Sequence, residues 1–417
     1  MDFISSKDIF LLTRDTLKLM DEQIMQHGSR TSYILYKMLQ QKGGYEKFEL
    51  AELVMLATLH DIGAYKTDDF KNNMKFEAKN YMAHSVYGYL FMKYLSPMSE
   101  KAKILLWHHV DYIQIRDLNY EYKEEAAMLN LAEKIDIYRE ALGDKFEIST
   151  FHRYADTRYS REALVLFGQA NREYDIFQKI ETGEYKKELD QLMDYLMFTN
   201  EEKKHYMEMQ MYALGLRASI KVLDSVTCIC VCEDLAKRLN LNEKETEKLY
   251  YGALIHDIGM LSVPDEILQA ARKLTKDEIK VMRQHVAFSE EILKDRLDQD
   301  VLNIVLAHHE RLDGSGYPKG TKEADMNLSQ KILQVADTVT GLTNKRHYKE
   351  AADIEEVKSI LKQEADAGHL SKQVVDILVE NYHDIKAKVN QKEDEILHLY
   401  KKLETQYKLV YEKFIRK

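Results

Sequence analysis

Proline, cysteine and uninterrupted apolar stretches are all scarce in this sequence of 417 residues. With only three prolines, Pro97, Pro264 and Pro318, the chain has little scope for a loop-rich fold, and long helices are expected instead. No apolar run reaches the roughly 18 residues that a membrane-spanning helix needs, and acidic residues interrupt the N-terminal stretch MDFISSKDIFLLTRD. The sequence therefore predicts a cytoplasmic protein without a membrane anchor.

The three cysteines, Cys228, Cys230 and Cys232, lie in one short segment and cannot form a disulfide framework. A thiolate zinc site would need a second ligand cluster, so they are predicted to be reduced and buried. The net charge of -10 and the pI of about 5.9 disfavour a nucleic-acid polymer as partner, because such a partner requires a basic surface. A small anionic ligand in a locally positive pocket is compatible with this charge.

Apolar residues recur three and four positions apart through most of the chain, as in AELVMLATLHDIG and TEKLYYGALIHDIG, which is the period of a helix. Alternating strand patterns are nearly absent, so an all-α fold is predicted. The C-terminal stretch EDEILHLYKKLETQYKLVYEKF has the same period, and it is predicted to form a long helix that caps the protein or pairs with a partner. A homodimer is one such pairing.

An internal repeat is the main organisational feature. LHDIG at residues 59–63 matches IHDIG at 255–259, and each is followed by a lone histidine, a histidine doublet and an acid in the same order. The repeated residues are His60, Asp61, His84, His108, His109 and Glu133 in the first copy and His256, Asp257, His285, His308, His309 and Asp337 in the second. The repeat predicts two tandem all-helical domains, 1–200 and 201–417.

The two sets contain most of the 15 histidines, and a recurring order of histidines and acids is poorly explained by unrelated core or surface residues. Imidazoles and carboxylates suit divalent iron, manganese, zinc or cobalt. Neighbouring residues on a helix project about 100° apart, so His60 and Asp61 can serve two adjacent ions with the aspartate between them. Two close metals activate a water and stabilise both oxygens of a phosphoryl displacement. The pattern predicts phosphoester hydrolysis with two ions per site.

The stretch LAHHERLDGSGYPKG at residues 306–320 joins the second doublet to a glycine-rich turn. Gly314 and Gly316 permit positive φ and close backbone approach, and Pro318 fixes the exit of the turn. Tyr317 is therefore predicted to be held beside the metal ligands, facing a substrate. An ordinary tight turn is the alternative.

These motifs resemble those of the HD-domain phosphohydrolase superfamily, and the second copy resembles its HD-GYP group, bacterial phosphodiesterases that act on cyclic dinucleotides. The resemblance is carried by IHDIG, MRQH, AHHERLDGSGYPKG, VAD and NKRHY, roughly between residues 210 and 380. It implies two HD-type helical bundles, with His256 and Asp257 at the catalytic metals. The further metal ligands that it implies are His285, His308, His309 and Asp337, and the implied substrate contacts are Tyr317, Gly314, Gly316 and Arg346.

The second copy departs from the family pattern at three positions. Asp224 stands where the family has its opening histidine, Met260 where it has a lysine after HDIG, and Thr340 where it has an aspartate after the last acid. An aspartate can still bind a metal, but loss of the lysine removes a cation that stabilises transition-state charge. The second copy is predicted to keep the recognition loop with an altered catalytic set.

The first copy, in contrast, keeps the metal ligands but lacks the recognition loop. His27 supplies the opening histidine, and the resemblance implies a nearly complete metal set in which only the last acid, Glu133, differs. Its doublet continues as HHVDYIQIRD, without a glycine-tyrosine-proline loop. Lys66 is a candidate phosphate contact from a shifted position, with an exposed lysine as the alternative.

The leading hypothesis is a metal-dependent phosphodiesterase that hydrolyses a cyclic dinucleotide by means of a hydroxide bridged between metals. Cyclic di-GMP is the expected substrate, and cyclic GMP-AMP is the variant. Two alternatives stay open. One is a binding or signalling module built on the altered second copy, and the other is a more general phosphohydrolase that acts through the first copy.

Overall fold

The computed structural model describes residues 3–65, 81–217, 219–268, 270, 272–343 and 352–415. These residues form helices joined by turns, and no β-strand occurs among them. The predicted all-α fold is confirmed. Two predicted substrate contacts, Lys66 and Arg346, lie outside the described residues.

The helices up to residue 192 are α1 Ser6–Met20, α2 Glu22–Lys42, α3 Lys47–Thr58, α4 Tyr81–Leu95, α5 Lys103–Trp107, α6 Tyr112–Ile115, α7 Lys123–Leu142, α8 Ser149–His152, α9 Arg161–Tyr174, α10 Ile176–Thr182 and α11 Tyr185–Leu192. Those from residue 200 onward are α12 Asn200–Arg217, α13 Ser219–Arg238, α14 Glu243–Ile255, α15 Asp265–Leu268, α16 Lys276–Arg283, α17 His285–Leu293, α18 Gln299–Leu306, α19 Leu328–Thr343, α20 Ile354–Asp366, α21 Lys372–Glu380 and α22 Tyr382–Ile415. Short 3-10 helices cover Ile62–Tyr65, Gly143–Lys145, Met193–Tyr195, Ile258–Ser262 and Glu323–Asp325.

The long C-terminal helix that the sequence predicts is α22, which confirms that element. No helix in the described part of the chain is both long and apolar enough to cross a membrane.

The chain divides into two compact units. The first unit comprises Thr13–Tyr206 with Lys402–Lys417, and the second comprises Met1–Leu12 with Met207–Lys401. In the second unit the N-terminal segment is tied in place by Phe3, whose carbonyl oxygen accepts a hydrogen bond from the Asp298 N–H at 3.0 Å. The domain limits of 1–200 and 201–417 stay a prediction.

Equivalent helices carry the motifs of the two sequence copies. The opening ligand position lies in α2 and in α13, and the HD dipeptide follows α3 and α14. The lone histidine lies in α4 and in α17, the doublets follow α5 and α18, and the last acid lies in α7 and in α19. The internal repeat is therefore a repeat of structure as well as of sequence.

Each unit has its own apolar core around these helices. In the first unit α2 packs against α3 and α7, and in the second α13 packs against α14 and α19. The fully buried side chains include Ile34, Leu35, Met38, Leu56 and Leu131 in the first unit and Leu235, Leu254, Leu333, Val335 and Ala336 in the second. Burying a side chain of leucine or isoleucine size stabilises the fold by about 1.5–3 kcal/mol, so these layers fix the helices that carry the motifs.

The helices that lead into the HD dipeptides begin at capping boxes. In α14 the Asn242 side chain accepts from the Glu245 N–H at 2.9 Å, and the Glu245 side chain accepts from the Asn242 N–H at 3.1 Å. In α3 the Glu49 side chain accepts from the Glu46 N–H at 2.9 Å. Each cap stabilises its helix by about 1 kcal/mol. Because the first turn of each helix is fixed, the position of the HD dipeptide after the last turn is fixed as well.

Candidate metal centres

The HD dipeptides lie in the turn directly after a helix, not within the helix as the sequence suggested. The helix α3 ends at Thr58, and His60 and Asp61 form the turn before a 3-10 helix. His256 and Asp257 occupy the same place after α14. The tighter 3-10 path turns the chain out of the helix axis, so that the aspartate faces the next motif helix.

A glycine lets that next helix approach. A Cβ on Gly63 would lie 2.1 Å from the carbonyl oxygen of His84, and a Cβ on Gly259 would lie 2.0 Å from that of His285. Only glycine fits between these backbones. The close approach brings His84 Nε2 within 3.2 Å of Asp61 Oδ1.

Backbone carbonyls fix the orientation of the imidazoles. A carbonyl oxygen can only accept a hydrogen bond, so the Nδ1 atom facing it carries the proton and Nε2 is left as a ligand. Five histidines direct Nδ1 at the carbonyl three residues earlier: His60 to Ala57, His108 to Leu105, His256 to Ala253, His285 to Met282 and His308 to Val305. Both copies therefore present Nε2 atoms to a common centre.

The first unit brings all seven of its predicted ligands together. Ligand atoms within 4.8 Å of one another form three overlapping groups: Asp61, His84, His108 and His109; His27, His60 and Asp61; and His60, His108 and Glu133. Asp61 belongs to two groups, with Oδ1 at 3.2 Å from His84 Nε2 and Oδ2 at 3.4 Å from His60 Nε2. Its two oxygens thus face different neighbours, as a bridging carboxylate requires.

Several buried polar atoms in this cluster lack a hydrogen-bond partner among the described residues. His60 Nε2, His108 Nε2, Asp61 Oδ1 and Glu133 Oε2 are inaccessible to solvent and make no hydrogen bond with any described residue. Leaving such an atom unsatisfied costs about 1–3 kcal/mol. Four of them converging in one place fit a bound cation, which is the partner that imidazole nitrogens and carboxylate oxygens prefer.

The protonation states agree with that chemistry. Burial lowers the pKa of His60, and it lowers the pKa of His108 to about 3. Burial alone would raise the pKa of Asp61, but the charges of His60 and His84 outweigh it and lower that pKa well below its usual value. Neutral His60 and His108 beside an ionised Asp61 are the state in which a divalent ion binds.

A residue that sequence reasoning missed holds the opening ligand. Asp136 in α7 accepts from His27 Nδ1 at 2.8 Å and from Arg30 Nε at 2.7 Å. The Asp136 bond directs the His27 ring towards His60, whose ring centre lies 5.2 Å away. The spacing of three residues between Glu133 and Asp136 is the only sequence sign of this support, because His27 and Asp136 are far apart along the chain.

The second unit brings its histidines and two acids together in the same order. His285, His308 and His309 place ligand nitrogens within 4.8 Å of one another. Asp257 Oδ1 lies 3.5 Å from His285 Nε2, and Asp257 Oδ2 lies 3.8 Å from His256 Nε2. Asp257 thus directs its two oxygens at different histidines, as Asp61 does in the first unit.

The last acid of this cluster is Asp337, whose Oδ2 lies 3.2 Å from His309 Nδ1. Burial alone would raise the pKa of Asp337, but the neighbouring imidazoles, His309 first, lower it well below its usual range. Burial and the adjacent His309 also lower the pKa of His308 well below its usual value. The cluster thus combines an ionised carboxylate with a neutral imidazole.

The three departures of the second copy have structural counterparts. Asp224 is buried in α13, but it is in none of the close ligand groups formed by the described residues. Met260 is buried at the position of the family's lysine, and the Thr340 hydroxyl donates to the carbonyl of Ala336 at 2.9 Å. Thr340 stands three residues after Asp337, as Asp136 stands three residues after Glu133. Thr340 therefore occupies the position of the aspartate that binds the opening histidine in the first copy. Both the opening ligand and its supporting residue differ in the second copy.

The glycine-tyrosine-proline loop lies against the second cluster. The ring centre of Tyr317 lies 4.8 Å from that of His309, and the Tyr317 N–H donates to the His309 carbonyl at 3.1 Å. Gly314 has a positive φ of 86°, as expected. Gly316 is needed for a different reason, since a Cβ at this position would lie 2.3 Å from Arg311 N. Burial is the main cause that raises the pKa of Tyr317, so the phenol stays neutral.

Glu310 anchors this loop, a role that sequence reasoning missed. Its buried carboxylate accepts from the Lys319 N–H at 2.7 Å and from the Thr321 N–H at 3.0 Å. An acid directly after the histidine doublet was the visible signal, but its partners lie nine and eleven residues later. Charge-assisted bonds of this kind are stronger than neutral ones, so Glu310 holds the loop that carries Tyr317 beside the cluster.

Models of the HD domain match residues 24–138 and 203–374, which contain the two clusters. The chain belongs to the HD-domain family. Its second HD domain carries the HHERLDGSGYP loop, and the predicted relation to the HD-GYP group is confirmed.

This HD-domain protein is 28% identical to the 3′3′-cGAMP-specific phosphodiesterase 1 of Vibrio cholerae over 387 residues, which cover 86% of this chain and 87% of that relative. It is 36% identical to a cyclic di-GMP phosphodiesterase of Thermotoga maritima over 126 residues, 29% of this chain and 34% of that relative. A crystal structure of a cyclic GMP-AMP-specific phosphodiesterase of V. cholerae superposes with a TM-score of 0.57 at 15% identity, covering 91% of this chain and 98% of that one. The structural likeness confirms the tandem fold.

Proposed function

We propose that this HD-domain protein is a metal-dependent phosphodiesterase that hydrolyses a cyclic dinucleotide in its second HD domain. The observation that carries the proposal is the contact of Tyr317 with His309. It puts an aromatic ring and a glycine-rich backbone directly beside a histidine–aspartate cluster. An aromatic face binds a nucleobase by stacking, while the cluster beside it suits a phosphodiester.

We further propose that each site binds two divalent ions, with iron and manganese as the first candidates. The support is the position of Asp257 and of Asp61, each of which directs its two oxygens at different histidines. When bound, such ions supply an activated water and stabilise charge on the phosphoryl oxygens. His256 and His285 would hold them through Nε2, because their Nδ1 atoms face backbone carbonyls.

Cyclic GMP-AMP is the substrate that we propose to test first. A relative that aligns with 86% of this chain is named for that ligand. The Thermotoga enzyme, named for cyclic di-GMP, aligns over about a third of its length. Cyclic di-GMP, the substrate expected from the sequence, belongs in the same assay.

Paired ligand variants test where the chemistry occurs. With manganese or iron supplied, H256A/D257A should lower the hydrolysis of both cyclic dinucleotides by more than the roughly hundredfold that loss of one supporting residue costs. H60A/D61A is the matched control in the first HD domain and should keep most of the activity. Product formation is followed by chromatography. The reverse pattern would transfer the chemistry to the first HD domain, and an inactive wild-type protein would refute the proposal.

A second candidate function is supported by the first HD domain, where all seven predicted ligands converge without a glycine-tyrosine-proline loop. We propose that this cluster hydrolyses a phosphoester of its own. Mononucleotides and linear dinucleotides are the ligands to assay. Turnover that is lost in H60A/D61A and kept in H256A/D257A would support it, and turnover that follows His256 and Asp257 would contradict it.

We also propose a cytoplasmic location and a homodimer. Cyclic dinucleotides are cytoplasmic ligands of bacterial signalling, and α22 offers a long surface for pairing. Light scattering at several concentrations tests the dimer, and a mass of 49.0 kDa throughout would contradict it.

A further inference from the structure

The second HD domain needs cations to bind a cyclic dinucleotide, which carries two negative phosphodiesters. The family's lysine position is filled by Met260, which is buried and uncharged. We infer that Arg283 supplies one of the required charges and binds the phosphodiester that is not cleaved. The inference rests on the proposed function, because it concerns the ligand of the same site.

Arg283 is placed against the predicted substrate loop. Its Cζ atom lies 4.8 Å from the centre of the Tyr317 ring. The Tyr317 ring in turn lies 4.8 Å from the ring of His309, and His309 Nδ1 lies 3.2 Å from Asp337 Oδ2. The guanidinium and the His309 imidazole thus both contact the ring of Tyr317.

The guanidinium is open to a ligand. Arg283 is exposed, and within the described ranges of the chain it makes no hydrogen bond or ion pair. Arg272, by contrast, is held by Glu278 through two bonds of 2.8 and 2.6 Å. The planar fork of five N–H donors matches two phosphate oxygens, and the cation–π contact with Tyr317 limits the rotamers that binding has to restrict.

Arg311 is less available for this role. It is the other arginine whose charge acts on Tyr317, but it is partly buried and its NH1 group lies 3.5 Å from the Thr338 hydroxyl. Of these two arginines in the described part of the chain, Arg283 is thus the one that combines exposure with free donors.

The offset of Arg283 from the cluster indicates which phosphate it binds. A cyclic dinucleotide carries its two phosphodiesters on opposite sides of one macrocycle, so the second projects away when the first is at the metal ligands. Arg283 contacts Tyr317, which in turn contacts His309, and it makes no hydrogen bond or ion pair with the described residues of the cluster. A mononucleotide or a small phosphodiester has no second phosphate to offer, so Arg283 selects for the cyclic dinucleotide.

Three variants of the full-length protein test the inference by calorimetric binding of cyclic GMP-AMP and cyclic di-GMP. R283M keeps an apolar contact with Tyr317 but removes the charge, and it should raise the Kd about tenfold to hundredfold. R283K keeps the charge without the fork and should lie between R283M and the wild type. R272M is the matched control and should bind like the wild type, since Arg272 is already paired with Glu278.

A ratio of kinetic constants distinguishes a loss of selectivity for the cyclic dinucleotide from a general loss of activity. In R283M the ratio of kcat/KM for the cyclic dinucleotide to kcat/KM for bis(p-nitrophenyl) phosphate should fall at least about tenfold. Unchanged binding in R283M would show that Arg283 only supports Tyr317, and an equal loss for both substrates would place it at the cleaved phosphate. Either result overturns the inference. A wild-type protein that neither binds nor hydrolyses a cyclic dinucleotide would refute the proposed function itself.

Discussion

The glycine of each HDIG motif sets the distance at which the metal ligands meet, and its replacement tests the cluster geometry. In G259A the added Cβ would lie 2.0 Å from the carbonyl oxygen of His285, so α17 would have to move. Such overpacking costs about 1–3 kcal/mol or more. We expect G259A to bind less metal than the wild type, which elemental analysis after dialysis measures as metal per chain.

Gly168 is the matched control for that variant. It also lies in a helix, but its Cβ would meet nothing closer than Arg172 NH1 at 3.9 Å. G168A should therefore keep the metal content of the wild type and melt at the same or a higher temperature, because alanine favours a helix more than glycine does. Full metal content in G259A would show that the approach of α17 to Gly259 does not determine the cluster.

At the scale of elements, one buried carboxylate joins α13 to α22 within the second unit. Asp234 forms ion pairs with Arg238 and Lys388. Burial alone would raise the pKa of Asp234, but Lys388 and Arg238 outweigh it and lower that pKa below its usual value. A carboxyl group whose pKa is lowered by folding stabilises the native state above its unfolded pKa and loses this contribution as the pH falls through the folded value.

Replacement of this carboxylate tests the link. D234N should lower the free energy of unfolding at pH 7 by about 1–3 kcal/mol, since two cations lose their partner. The difference from the wild type should begin to shrink as the pH falls below about 4, where the carboxyl of the unfolded chain takes up a proton, and it should vanish below the lowered folded pKa. Denaturant unfolding at the two pH values measures both effects. A difference that is independent of pH would assign the loss to packing instead of charge.

The elements that sequence could predict are those that depend on local pattern. Helical periodicity indicated α3, α14 and α22, and the fixed order of histidines and acids indicated which side chains converge. The supports of the sites were missed because their partners are distant or common: Asp136 binds His27 from 109 residues away, and Glu310 binds backbone N–H groups that carry no sequence signature. The tie between Phe3 and Asp298 likewise depends on tertiary packing, which no local pattern encodes.

At the scale of the whole molecule, the unsatisfied ligand atoms of the first cluster link metal binding to stability. An ion that binds only the folded chain stabilises it by about 2.7 kcal/mol at a concentration 100 times its Kd. Removal of metal by a chelator should therefore lower the melting temperature, and re-addition of manganese should restore it. Calorimetric scans measure the change. H60A/D61A should remove the response of the first HD domain alone, and a melting temperature insensitive to chelator would contradict metal binding by the folded protein.

The pairing of His27 with Asp136 has a consequence for how the second HD domain could change. Its counterparts there are Asp224 and Thr340, so a mutation of Asp224 to histidine alone would bury an imidazole without its acceptor. A mutation of Thr340 to aspartate alone would bury a carboxylate without the histidine that its counterpart Asp136 binds. The two substitutions are therefore expected to be epistatic, each harmful singly and compatible together. Such epistasis would let a duplicated site retain its difference once both positions have diverged.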